Sequence, residues 1–140
     1  KPITLPFFIF FHHCILSTHQ QLFNHMGGFM NYLEISLHIE QQLVKLLSLS
    51  ESAKYYALIH HNKFESFIDD FNLTVNQEMK WAMSHQLLLN SNDTLVSYCQ
   101  LIRRLNDSPL LTLNQGHIIY YINTQQTLIH RQLLKHKQAL

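Results

Sequence analysis

Tyr32, Ile35, Ile39, Leu43, Leu46, Leu49, Ala53 and Tyr56 follow one another at intervals of three and four residues. No Gly or Pro falls within that stretch. On a helix of ~3.6 residues per turn, these side chains form one continuous stripe of about seven turns. Leu33, Leu37, Val44 and Leu47 widen the stripe. A helix with so broad an apolar face must be covered by more than one neighbour. This single element commits the chain to helix-on-helix packing.

The rest of the composition agrees. Gly and Pro number three each in 140 residues, too few for a turn-rich β protein. That length fits one domain, which would bury roughly two thirds of the surface of the unfolded chain. Only 14% of residues are charged and the net charge is +1, so there is no broad basic field to attract nucleic acid. The two cysteines, Cys14 and Cys99, have neither disulfide-framework nor metal-ligand spacing. They point to a reducing compartment, with Cys99 as a small buried hydrophobe.

The break after the first helix falls at His60-His61-Asn62, where Asn62 and Glu65 have capping-box spacing. A second stripe follows at Phe64, Ile68, Phe71, Val75, Met79 and Ala82, with Asp69, Asp70 and Lys80 off its line and Glu78 at its edge. Trp81 and Met83 are expected to pack at its far end. Asn90-Ser91-Asn92-Asp93 is a loop, and Asn92 or Asp93 can cap a third helix carrying Leu95, Tyr98 or Cys99, Ile102 and Leu105. Arg103 and Arg104 suit the negative end of its dipole. Ser108-Pro109 then reads as the start of the last helix.

In that last stretch, Leu110–Leu140, Ile118, Ile122, Ile129 and Leu133 lie along one helix face, and Thr124, Thr127, Arg131 and Gln138 along the other. His117–Ile122 is rich in β-favouring residues, and Gly116 disfavours a continuous helix. The spacing continues through Leu133, so helix is the reading adopted. The expected architecture is all-α: an antiparallel bundle of about four helices with an extended C-terminal helix.

Residues 1–29 differ from the remainder. Lys1 is their only charged residue, and the apolar run Leu5–Phe11 is too short to span a membrane. Met26-Gly27-Gly28-Phe29-Met30 can be encoded by a ribosome-binding GGAGG followed by ATG. The expectation is therefore that 1–29 are a doubtful leader of translated non-coding sequence, with the protein beginning at Met30 and a helical domain over 30–140. A signal-like segment of an exported or membrane-associated protein is the competing reading.

Chemistry-bearing patterns are sparse. Eleven histidines invite a metal reading, but the adjacent His60 and His61 point to different helix faces, and His130 and His136 are six apart where four would suit a ligand pair. Asp69-Asp70 sits in mid-helix, where solvent is the expected neighbour. No phosphate loop or nucleophile signature is present. No cofactor is called for. Arg103-Arg104 beside Tyr98 could touch RNA, but a helix end explains the two arginines more simply. Tyr120-Tyr121 allows two readings: adjacent aromatics cannot both face one core stripe, so either one is exposed and, beside apolar residues, marks a binding surface, or both are covered by neighbouring helices.

Two stretches carry a resemblance. Gln42–Met79 has the hydrophobic rhythm, with a polar dip before the second helix, of the FlgN family of flagellar type III export chaperones. Leu110-Leu111-Thr112-Leu113-Asn114, Gln115-Gly116 and Ile118-Ile119 resemble that family's Leu-x-x-Leu-Asn, Asn-Gly and Leu-Ile pattern, with Gln in place of Asn and a shorter gap. The FliT family is a looser match. The resemblance implies a bacterial, cytoplasmic, non-enzymatic helical protein. It would bind an amphipathic helix of an export substrate, for FlgN a hook–filament junction protein. The positions matching the family's substrate-binding region are Ile118, Ile119, Ile122, Ile129 and Leu133. The alternatives are a structural or regulatory bundle that forms a homodimer through the same stripe, and a histidine-based metalloenzyme.

Overall fold

The computed structural model describes residues 32–112 and 115–139. The leader expected over residues 1–29 lies outside the described residues. Five helices follow in order: α1 Tyr32–Leu58, α2 Phe64–Ser84, α3 Gln86–Leu89, α4 Asp93–Asp107 and α5 Gln115–Ala139. There is no strand among the described residues. The fold is an all-α bundle in which α1 packs against α2 and α5, and α4 packs against the same two helices from the opposite side.

Cross-links between neighbours show that the four long helices alternate in direction. His38 of α1 meets Glu78 of α2, and Tyr56 stacks on Phe67. Glu78 in turn meets Tyr98 of α4, and Asn72 meets Leu110 beyond the end of α4. Ser97 of α4 meets Gln132 of α5, while Lys54 of α1 meets Asn123. In each pair the early part of one helix faces the late part of the next.

The core is the set of stripes read from the sequence. Ile35, Ile39, Leu43, Leu46 and Ala53 of α1 face Phe64, Ile68, Phe71 and Val75 of α2 and Ile118, Ile122, Ile129 and Leu133 of α5 in one cluster. Leu95, Tyr98, Ile102 and Leu105 close it from α4, and Leu89 of the short α3 is also fully buried. Each well-buried Leu or Ile contributes about 1.5–3 kcal/mol, so packing rather than helix propensity holds these elements. The same burial turns His117–Ile122 into helix: Ile118 and Ile122 lie one turn apart on the covered face, and that outweighs their β preference. Gly116 falls in the first turn, where a helix loses least by having it.

Three local expectations are corrected. Asn62 does not cap α2; Lys63 occupies that position without a side-chain cap, and the Asn62 carbonyl accepts from the Glu65 backbone N–H instead. Met83 does not pack, being 67% exposed, although Trp81 does. The last helix does not start at Ser108-Pro109. The Asn72 side chain holds both backbone polar groups of Leu110, donating to its carbonyl at 2.8 Å and accepting from its N–H at 3.1 Å. That pairing keeps Leu110 buried in a non-helical connection, and α5 begins only at Gln115. At the head of α4 the cap is Asn92, whose side-chain oxygen accepts from Thr94 N and Leu95 N.

The turn between α1 and α2 has an unusual closing residue. His61 N donates to Tyr56 O and His60 N to Ala57 O, the double bond of a Schellman ending. His60, at φ 56°, takes the left-handed position that Gly usually fills. His60→Gly is therefore expected to raise the urea unfolding midpoint, a gain of about 0.5–1 kcal/mol, whereas His60→Val lowers it. An unchanged midpoint with Gly would show that the histidine is not strained there.

Candidate functional site

One end of the bundle carries a buried polar cluster. Glu78 enters it from α2, one turn beyond Thr74, on the covered face. Its Oε1 accepts from the Tyr98 hydroxyl of α4 at 2.6 Å. Its two oxygens also lie 3.0 and 2.9 Å from His38 Nε2 of α1, which donates to the carboxylate. Three helices are thus joined through one side chain. Trp81, one turn after Glu78, stacks on His38 at 3.9 Å and on His85 at 4.7 Å, which shields the cluster with flat rings. Burial, with Glu78 beside it, holds the Tyr98 hydroxyl well above its ordinary pKa. A hydroxyl that keeps its proton and donates to a carboxylate is a structural pin rather than a nucleophile.

A second polar chain joins α4 and α5. Lys135 Nζ donates to Ser97 Oγ at 2.9 Å, and Ser97 donates to Gln132 Oε1 at 2.7 Å. The Gln132 amide donates to Thr94 O and to His136 Nε2, at 3.1 and 3.0 Å. Gln126 makes the equivalent tie to α1: it donates to Ser50 Oγ and Glu51 and accepts from Lys54. Gln126, buried together with Gln125, occupies the covered face where the apolar spacing of α5 skips from Ile122 to Ile129.

The residues expected to meet a partner are not an open surface in this fold. Ile118, Ile122, Ile129 and Leu133 are buried in the core, Ile122 at 0% exposure, and Ile119 is half-buried against it. The reason is geometric: the stripe that would suit a partner helix is the one α1 and α4 already cover. The large apolar side chains that α5 leaves in solvent are Tyr120 at 68% and Tyr121 at 50% exposure, their rings edge-on at 5.6 Å, and Leu134 nearer its other end. Tyr55, Leu58 and Ile59 are exposed at the same end of the bundle, as the Lys54–Asn123 bond between α1 and α5 requires. The sequence left the tyrosine pair either partly exposed or covered, and the fold exposes both rings; the α1 contribution was not legible, because Tyr55 and Leu58 flank a stripe that is buried along the rest of its length.

Asp69, Asp70, Arg103 and Arg104 face solvent. Cys99 is a free, half-buried thiol whose pKa burial raises, with Arg103 partly opposing. Tyr98, pinned to Glu78 with no exposed surface, cannot serve beside Arg103-Arg104 as an RNA-stacking ring. No group of three His, Cys, Asp or Glu side chains able to hold a metal exists among the described residues. No helix among them is long and apolar enough to cross a membrane. Compared with known proteins, the chain matches no family model, no curated protein and no solved structure.

Two buried titratable groups give the fold an opposed pH dependence. Burial lifts the Glu40 carboxyl from 4.5 to about 7, with Lys137 partly offsetting the rise. Burial, then Lys135, depresses His136 from 6.5 to about 4. Between pH 4.5 and 7 the folded chain keeps a proton on Glu40 that the unfolded chain has lost, so this contribution to stability falls as pH rises. Between pH 4 and 6.5 the unfolded chain holds a proton on His136 that the folded chain lacks, so that contribution rises with pH. Urea midpoints measured across this range should be nearly level for these two groups together. Glu40→Gln should make stability climb with pH, and His136→Gln should make it decline. Parallel profiles for all three proteins would contradict the assignment.

Proposed function

We propose that this chain is a non-enzymatic binding protein, an export chaperone that holds an amphipathic helix of a flagellar substrate before secretion. The observation that carries the reading is the group of large apolar side chains in solvent at one end of the bundle: Tyr55, Leu58, Ile59, Tyr120 and Tyr121. Aromatic residues beside aliphatic ones suit the anchors of a helix laid against a bundle, because their area is large and few rotatable bonds must be fixed. The resemblance of Gln42–Met79 and Leu110–Leu133 to the FlgN family supplies the partner class, a hook–filament junction protein, and the bacterial cytoplasm as the place of action.

In this reading the exposed tyrosines take the first contact. Ile118, Ile122, Ile129 and Leu133 hold α5 in place beneath them, and half-buried Ile119 lies at the rim. A partner could reach the buried four only by displacing α5 from α1 and α4. The tyrosines need no such rearrangement.

Titration with the C-terminal segment of a junction protein tests this. Tyr120→Ser with Tyr121→Ser is expected to leave the circular dichroism spectrum helical and to weaken binding about tenfold or more, a loss of ~1.4 kcal/mol. Ile122→Asp with Ile129→Asp should unfold the bundle instead, since it places two charges in the core. Undiminished binding by the tyrosine variant would refute the surface. Sedimentation as a stable dimer without partner, abolished by the same variant, would favour self-association through that end.

A further inference from the structure

A different surface lies between α4 and α5, toward the C-terminal half of α5. There the two helices leave a groove of about 190 Å³. Arg104 of α4 and Arg131 and Lys135 of α5 stand along it, with Leu101 and Leu128 also in its lining. All three cations are exposed, Leu101 is buried and Leu128 half-buried, so charge forms the rim and aliphatic surface the floor. Among the described residues, none of the three is in an ion pair with a carboxylate. This concentration of cations is notable in a chain with only ten Lys and Arg and a net charge of +1.

We propose that this groove binds an acidic peptide segment of a partner protein, with one aliphatic side chain on the Leu101–Leu128 floor and flanking carboxylates on Arg104, Arg131 and Lys135. The groove is short and open to solvent, with room for one side chain and little more. Two arginines offer forked donors that match carboxylate geometry. Lys135 is steadied by its bond to Ser97, which is itself fixed by Gln132, so one cation is held in place before any ligand arrives. A nucleic acid strand fits the groove less well. No aromatic ring lines it for a base to stack on, and the nearby Tyr98 is sealed in the core. The surface is separate from the exposed tyrosines, and the proposal stands or falls independently of the chaperone reading.

The test uses the full chain and fluorescence anisotropy of a labelled Glu-Glu-Leu-Glu-Glu peptide. Saturable binding is expected, lost when glutamines replace the glutamates and weakened by added salt. Arg104→Glu with Arg131→Glu should reduce affinity about tenfold or more while circular dichroism is unchanged, because both side chains lie in solvent. If that pair disturbs folding, Arg104→Gln with Arg131→Gln serves instead and should still weaken binding. Equal binding of the glutamine peptide, equal binding by the variants, or tighter binding of an oligothymidylate of similar length would each overturn the proposal.

Discussion

Ile39, Leu43, Leu46 and Ala53 are withdrawn from solvent completely, covered from two sides by α2 and α5. The rest of the bundle depends on this burial of α1. A stripe as wide as that of α1 cannot be satisfied by one neighbour, so α2 and α5 are both drawn onto it. Their own remaining apolar edges are then left facing the same side, and α4 closes that side with Leu95, Tyr98, Ile102 and Leu105. The alternating directions follow from short connections: a chain that turns within a few residues must run back along the helix it has just left.

Apolar burial is not directional, and helices held by it alone could slide past one another. Buried polar side chains remove that freedom, because each donor or acceptor withdrawn from water must find its partner at one register. Glu78 fixes α2 against α1 and α4 through His38 and Tyr98. Gln126 fixes α5 against α1, and Gln132 fixes it against α4. Asn72 performs the same service for the chain beyond α4 by pairing with the backbone of Leu110. Every long helix is thus tied by at least one amide or carboxylate as well as by its stripe.

This internal anchoring has a consequence for the surface. With its apolar stripe and its glutamines both turned inward, α5 presents two different outward features on one rigid rod. Tyr120 and Tyr121 stand near its start, beside the end of α1. Arg131 and Lys135 stand more than two turns later, beside α4. The helix itself fixes the separation of these two features.

Helix positions and the identity of the core were legible from residue order. The intervals of three and four from Tyr32 to Tyr56, from Phe64 to Ala82 and from Ile118 to Leu133 record a local periodicity that any buried helix must have. A cap at Asn92 or Asp93 was legible for the same reason, since the bonds of the Asn92 side chain that fills it reach only two and three residues ahead. Other features depend on residues far apart in sequence. Glu78 stood at the edge of a stripe and became the centre of a polar cluster because His38 and Tyr98 arrive from other helices, 40 and 20 residues away. The start of α5 was displaced from Pro109 because Asn72, 38 residues earlier, holds Leu110 out of helix. Whether the α5 stripe would face a partner or the core was decided in the same way. Periodicity specifies which face of a helix must be covered; only the tertiary packing determines what covers it, and here α1 and α4 do so first.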